Sequence, residues 1–203
     1  MDDFKFGQCS VPDGKAGPWE IDTFTLTRDD VLMMNMRAAR DGNGYLMCHS
    51  GTYKRLTHER RGCVMSNTPM ERRTAVEAFH NAAGRVLING LGLGMVLEGV
   101  LAKPEVTDVT VIEVDPDVIS LVGPHFAADP RLRIINADAY LWVPPKGEKW
   151  DYAWHDIWDD INADNLPLMS KLTRKYARRA AKQGAWSRAE VRREVRRDAR
   201  CGW

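Results

Sequence analysis

The sequence predicts an α/β protein, a mostly parallel sheet preceded by a small β-rich segment. Three observations carry that expectation. From Arg85 onward, short apolar runs rich in Val and Ile alternate with helical patterns, the mark of βαβ units with right-handed crossovers. A glycine-rich turn, Asn89-Gly90-Leu91-Gly92-Leu93-Gly94, follows the first of these runs. Glu113, Asp138 and Asp156 stand at the ends of the next three. In an open parallel sheet the carboxyl ends of the strands converge on one crevice.

The elements follow in order. Residues 1–18, with Pro12, Pro18 and little apolar periodicity, read as a loose arm. Trp19–Thr27 alternates and is rich in β-formers, so a strand is expected. Thr27 and Asp30 form a capping box for a helix running to Arg40, with Gly42 placed as a C-cap. Gly44–Leu56 reads as a hairpin turning at Ser50–Gly51, and Gly62–Met65 as a further short strand. Thr68-Pro69-Met70-Glu71 opens a helix that presents Val76, Phe79 and Ala83 on one face and stops at Gly84.

Val86–Asn89 is then a buried strand, Met95–Ala102 a helix, Val109–Val114 a strand and Pro116–Val122 a helix. Leu132–Asn136 and Trp150–Asp156 are two further strands. Leu166, Met169, Leu172 and Tyr176 lie along one stripe of a helix starting near Asp164. Gly184-Ala185-Trp186 leaves room for one short strand before a last helix, Ser187–Arg200. The sheet thus reads as truncated after its fifth strand. Three parts result: a β-rich and helical extension over 1–67, a ligand-binding domain over 68–186 and a basic helix over 187–203.

Charge divides the chain unevenly. Residues 171–203 carry 12 Lys or Arg against 3 Asp or Glu, while residues 1–170 carry 17 against 25. An acidic body therefore precedes a basic tail. Apolar residues make up 44% of the chain, enough to build a core and too many for a disordered polymer. No apolar run approaches the roughly 18 residues of a membrane span. The first residues lack the basic start and apolar core of a signal peptide, so a cytoplasmic location is expected. Cys9, Cys48, Cys63 and Cys201 include no CxxC pair and suit a reducing compartment. Cys48 and His49 with His58 and Cys63 match no zinc spacing, so no metal is expected.

The glycine loop lets the backbone turn tightly and approach a ligand in front of a helix N-terminus. Its spacing is GxGxG. A dinucleotide fingerprint would want the third glycine at Met95, so the loop suits an uncharged nucleoside better than a pyrophosphate. Glu113, 19 residues after Gly94, stands where a carboxylate accepts both ribose hydroxyls. Asp138 stands within reach of an adenine amino group. Singly these acids have plainer readings: Asp115 beside Pro116 is a helix cap, and Asp138 could be one. Four sheet ends carrying the loop and three acids point to a ligand site.

These segments, RVLINGLGLG (85–94), VTVIEVDPDVI (109–119), LRIINADA (132–139) and WDYAWHDIWD (150–159), resemble the class I S-adenosylmethionine-dependent methyltransferases, and within them the spermidine synthase branch. The resemblance runs from about Thr68 to Trp186 and implies a Rossmann-like methyltransferase fold. It implies that Gly90, Gly92 and Gly94 approach the methionine part of S-adenosylmethionine, that Glu113 binds the ribose, and that Asp138 and Ala139 bind the adenine edge. The implied cofactor set is Asn89, Gly90, Leu91, Gly92, Gly94, Glu113, Val114, Asp138 and Ala139. Asp156-Ile157-Trp158-Asp159 falls where aminopropyltransferases carry Asp-x-x-Asp, whose acids deprotonate and hold the amine. Two departures stand out: Leu93 replaces the loop acid of the synthases, and Ile157 and Trp158 replace small hydroxyl residues.

Methyl transfer is an in-line displacement that needs a nucleophile positioned about 3 Å from the methyl and, for some acceptors, a base. Asp156 is the expected base or nucleophile-orienting group, and Asp159 or Asp160 its electrostatic partner. Strand alternation sends His155 to the opposite face as a structural residue. Trp142, Trp150, Trp154 and Trp158 are four of the seven tryptophans. They form either an aromatic wall for a substrate or packing for the helices, with Trp154 in the core and Trp158 nearest the substrate. In the tail, Glu190–Arg193 and Glu194–Arg197 are (i, i+3) pairs of an ordinary surface helix, although its charge also suits nucleic acid. The truncated sheet leaves an edge for the N-terminal strands or a second subunit to cover.

Three functions compete on this reading. One is a methyltransferase acting on an unidentified small molecule or amine. Another is an aminopropyltransferase using decarboxylated S-adenosylmethionine, and the third a non-catalytic nucleoside-binding regulator.

Overall fold

The computed structural model describes residues 8–40 and 47–201, and of residues 194 and 197–201 the backbone alone. Two sheets organise it. The first is antiparallel, with strands in sequence order: β1 (Gly14–Ala16), β2 (Trp19–Leu26), β3 (Gly51–His58) and β4 (Gly62–Ser66). The second is a five-stranded parallel sheet ordered β7-β6-β5-β8-β9. Its strands are β5 (Gly84–Asn89), β6 (Val106–Glu113), β7 (Leu132–Asn136), β8 (Trp150–His155) and β9 (Ala180–Ala185). This is the doubly wound order, with its switch point between β5 and β8, where such sheets bind ligands. The expected Rossmann-like α/β fold with a β-rich N-terminal segment is the fold observed.

Helices cover both faces. Val86 and Ile88 on β5 pack with Val109, Val111, Tyr152 and Trp154 toward α3 (Val76–Asn81), α4 (Met95–Leu101) and α5 (Pro116–Phe126). Leu87, Ile112 and Ala153 point the other way, toward Leu172 and Tyr176 of α6 (Asn165–Tyr176). The alternation along β5 is the period of two that a strand buried on both faces requires. Trp150 and Trp154 are buried, as core tryptophans, while Trp142 packs against Trp150 with ring centroids 6.1 Å apart. The last helix, α7 (Arg188–Cys201), buries Val191 and pairs Glu190 with Arg193 at 3.6 Å. The Glu194–Arg197 pair lies outside the described side chains. No helix among the described residues is long and apolar enough to cross a membrane.

Several local expectations are corrected. The arm is not loose throughout: β1 pairs with β2, Cys9 and Val11 are buried, and Ser10 binds Glu98 and His125. Ser50–Gly51 is not a hairpin turn. Gly51 begins β3, which pairs with β2 along its whole length and turns into β4 through Glu59–Arg61. The bond from the Tyr53 hydroxyl to the His49 carbonyl holds the chain entering β3. Residues 44–46 and Gly42 lie outside the described residues.

The helix expected from Thr68 to Ala83 is two, α2 (Pro69–Thr74) and α3. The Thr74 hydroxyl donates to the Glu71 carbonyl at 2.6 Å, taking the acceptor that the Ala75 N–H would use, and that N–H turns to Arg72. The capping box at Thr68 does not form: its hydroxyl meets Ser66, and the Glu71 carboxyl accepts the Ser66 N–H. Ala83 is exposed; Ala78 and Ala82 pack beside Phe79 instead. The Thr27–Asp30 box does form, with reciprocal bonds of 3.2 and 2.9 Å at the start of α1 (Arg28–Arg40). The N-terminal strands do not cover the outer edge of β9, which has a neighbour on one side only. They lie across the carboxyl ends of the central strands, where they roof a cavity.

Candidate functional site

The cavity, about 310 Å³, opens above the glycine loop. Its floor is set by close backbone packing. Gly90 has φ +98°, and a Cβ there would stand 1.8 Å from the Asp156 carbonyl oxygen, so only glycine lets β5 turn beside the end of β8. Gly94 has a different task. Its absent side chain makes room for Val122 and Phe126 of α5, which a Cβ would meet at 2.8 and 2.9 Å.

Glu113 ends β6 buried, and both carboxylate oxygens are already anchored. One accepts the Leu91 N–H at 2.8 Å and the other the Asp115 N–H at 2.9 Å, leaving a lone pair on each for a ligand. Asp115 caps α5 as expected, accepting the Asp117 N–H at 2.9 Å. Asp138 accepts the Tyr140 N–H at 2.6 Å and lines the cavity beside the small Ala137 and Ala139. Asp156 follows β8. Its N–H bonds the Asn89 carbonyl at 2.8 Å, and its carboxyl takes a bond of 3.4 Å from the Trp154 indole. Burial pushes the Asp156 carboxyl up to about 7, and the charge of Asp159 adds to the rise against that indole bond.

The roof comes from the first sheet. Trp19, buried on β2, donates its indole N–H to Asp115 at 2.7 Å, tying β2 to the head of α5. Arg61 stacks over the Trp19 ring, 4.7 Å from its centroid, and donates to Asp159 at 2.7 Å. The Met65 sulfur accepts the Leu93 N–H at 3.3 Å and covers Gly92.

The structure therefore brings Gly90, Gly92, Glu113, Val114, Asp138, Ala139, Asp156 and Asp159 around one cavity. Three residues of the expected cofactor set do not line it. Asn89 is buried below, where its amide bonds His155 at 2.7 Å; Leu91 turns inward and lends only its N–H to Glu113; and Gly94 serves helix packing. His155 is structural, as strand alternation implied. Its other ring nitrogen donates to Gln183 at 2.9 Å, its ring stacks on Tyr176, and burial lowers its pKa to about 4.

Sequence reasoning missed Trp19, Arg61, Met65 and Tyr140, all of which line the cavity. It also missed that Glu71, read as a capping residue, keeps a carboxyl that burial and the nearby Asp156 push up to about 8. Trp19 carried a faint signal as a large aromatic opening a strand; Arg61 in a turn carried none.

Fold and cavity together define a Rossmann-like domain with a nucleoside-sized site roofed by an antiparallel sheet. No family model matches the chain. It is 35% identical over 97 residues to polyamine aminopropyltransferase 2 of Ralstonia nicotianae, covering 43% of this chain and 19% of that protein. It is 32% identical over 89 residues to polyamine aminopropyltransferase 2 of Caldanaerobacter subterraneus subsp. tengcongensis, covering 41% and 30%. The match thus spans well under half the length of these relatives. Among solved structures, the 23S rRNA methyltransferase ErmE superposes with a TM-score of 0.43 at 19% identity, over 56% of this chain and 44% of its own. The N-methyltransferase NodS of Bradyrhizobium japonicum bound to S-adenosyl-L-homocysteine gives 0.43 at 17%, over 55% and 57%.

Proposed function

We propose that the chain binds S-adenosylmethionine in this cavity and transfers its methyl group to an acceptor presented at Asp156. Glu113 is the observation that carries the reading: a buried carboxylate, locked by two backbone N–H groups, lining a cavity floored by a glycine loop. The residues fit the group. The volume lies at the lower end of small-molecule sites, roughly 300–1,000 Å³. Only the flexible end of Met65 occupies the space above Gly92. When bound, the cofactor supplies an electrophilic methyl on a sulfonium that leaves as a neutral thioether.

Glu113 holds the ribose hydroxyls with its two remaining lone pairs, and Asp138 the adenine amino group. Ala137 and Ala139 leave width for the base between them. The acids that line the cavity favour a cation inside it. Asp156, held near neutrality by burial, takes a proton from the acceptor and releases it to water, the condition under which a carboxyl serves as base near pH 7.

Aminopropyl transfer is the second reading, favoured by the stretch of identity with polyamine aminopropyltransferases. Against it stand Leu93 and Met65, which leave no acid in the loop for the amine of an aminopropyl arm. Calorimetry tests the site. Glu113→Gln is expected to weaken S-adenosylmethionine binding by about 1–3 kcal/mol, the loss typical of an orphaned hydrogen bond. Equal affinity in that variant would remove Glu113 from the pocket. Asp156→Asn keeps the affinity and loses turnover, while the wild-type rate climbs as pH rises through about 7. Tighter binding of decarboxylated S-adenosylmethionine would shift the assignment to aminopropyl transfer.

A further inference from the structure

Of the charged residues lining the cavity, Arg61 is the one cation among those described. Its placement is fixed twice, by the face of Trp19 at 4.7 Å and by Asp159 at 2.7 Å, and Trp19 is itself anchored to Asp115. Most of the acids are occupied by donors of the protein. Glu113 takes two N–H groups, Asp115 takes the Trp19 indole and the Asp117 N–H, and Asp138 takes the Tyr140 N–H. Asp156, which takes only the long 3.4 Å bond from the Trp154 indole, and Asp159 stand at the acceptor end, and the guanidinium stands on the one of them that is exposed.

We propose that Arg61 sets the acceptor class: by occupying Asp159 it closes the acceptor end to cationic amines, and the acceptor is a group without positive charge. This deepens the methyl-transfer reading above and rests on it for the word acceptor. A diamine entering here meets a guanidinium already bonded to the exposed carboxylate, and that guanidinium repels a second cation brought beside it. The effect is one of charge, so lysine at this position keeps a cation beside Asp159 and preserves it, and a neutral side chain abolishes it.

The test is a calorimetric titration of the full chain with putrescine, run without nucleoside so that its result does not hang on the cofactor site. A separate titration with S-adenosylhomocysteine tests that site. Wild type and Arg61→Lys are expected to give no measurable putrescine binding. Arg61→Gln is expected to bind it at least about tenfold tighter, and Arg61→Gln/Asp159→Asn to lose the gain. Arg61→Met keeps the stem against Trp19 and serves if the glutamine variant does not fold. Putrescine binding by wild type equal to that of Arg61→Gln overturns the proposal. So does a gain that survives Asp159→Asn, or no gain in either neutral variant.

Discussion

Gly90 and Gly62 share a positive φ, +98° and +73°, but not their surroundings. A Cβ on Gly62 meets nothing within 4 Å, whereas one on Gly90 runs into the backbone of Asp156. Gly62→Ala is therefore expected to cost about 1 kcal/mol of left-handed strain. Gly90→Ala is expected to cost at least about 3 kcal/mol or to prevent folding, because neither backbone can yield. Urea unfolding of the two variants measures the gap, and equal midpoints would refute the packing account. At this scale the sequence spoke clearly where a residue's task is set by its place on a strand. Glu113, Asp138 and Asp156 reach the cavity because each ends a parallel strand. Asn89, Leu91 and Gly94 share the loop but not the cavity, since a tight turn aims neighbouring residues in different directions. Arg61 and Trp19 were illegible for another reason: their partners Asp159, after β8, and Asp115, at the head of α5, are distant in sequence, and no local pattern records such a contact.

Elements show the same division between local and distant causes. The capping box at Thr27 and Asp30 formed because α1 is exposed along most of its length, with Ala38 alone buried, so nothing competes for those side chains. The similar motif at Thr68 failed because Ser66, at the end of β4, supplies nearer partners. The alternating strands of the central sheet were readable from their apolar runs. The hairpin was not, since Ser50–Gly51 looks like a turn and Glu59–Arg61 does not. Strand β2 carries the buried link between the sheets, so it offers a prediction. Trp19→Phe keeps the ring and loses the 2.7 Å bond to Asp115. Stability is expected to fall by about 1–3 kcal/mol, the cost of an unmade buried bond to a charge. In hydrogen exchange the amides of β2 and β3 should open faster while β5 and β6 stay protected. Uniform loss of protection in both sheets would contradict the assigned role of Trp19.

For the molecule as a whole, the half-buried Glu71 and the buried His155 pull stability in opposite directions with pH. Glu71 has its folded pKa raised from 4.5 to about 8, so the stability it contributes is complete below 4.5 and is lost as pH rises through about 8. His155 is lowered from 6.5 to about 4, so its contribution is present above 6.5 and is lost as pH falls through about 4. Asp156, raised to about 7, acts in the same direction as Glu71, so Glu71→Gln is expected to reduce the alkaline limb, with Asp156 keeping part of it, and to leave the acid limb in place. Urea midpoints followed across that range check this, and an unchanged alkaline limb would remove Glu71 as its cause.

The roof and floor of the cavity also lie in a fixed order along the chain. A ribosome delivers β1 to β4 before any strand of the floor exists, and Asp156 and Asp159 come later still. Until then Trp19, Ile21 and Leu56, all buried in the finished protein, have no partner sheet to cover them. The nascent roof therefore waits in water with its apolar side open, and surface of that kind favours aggregation until the floor arrives to cover it.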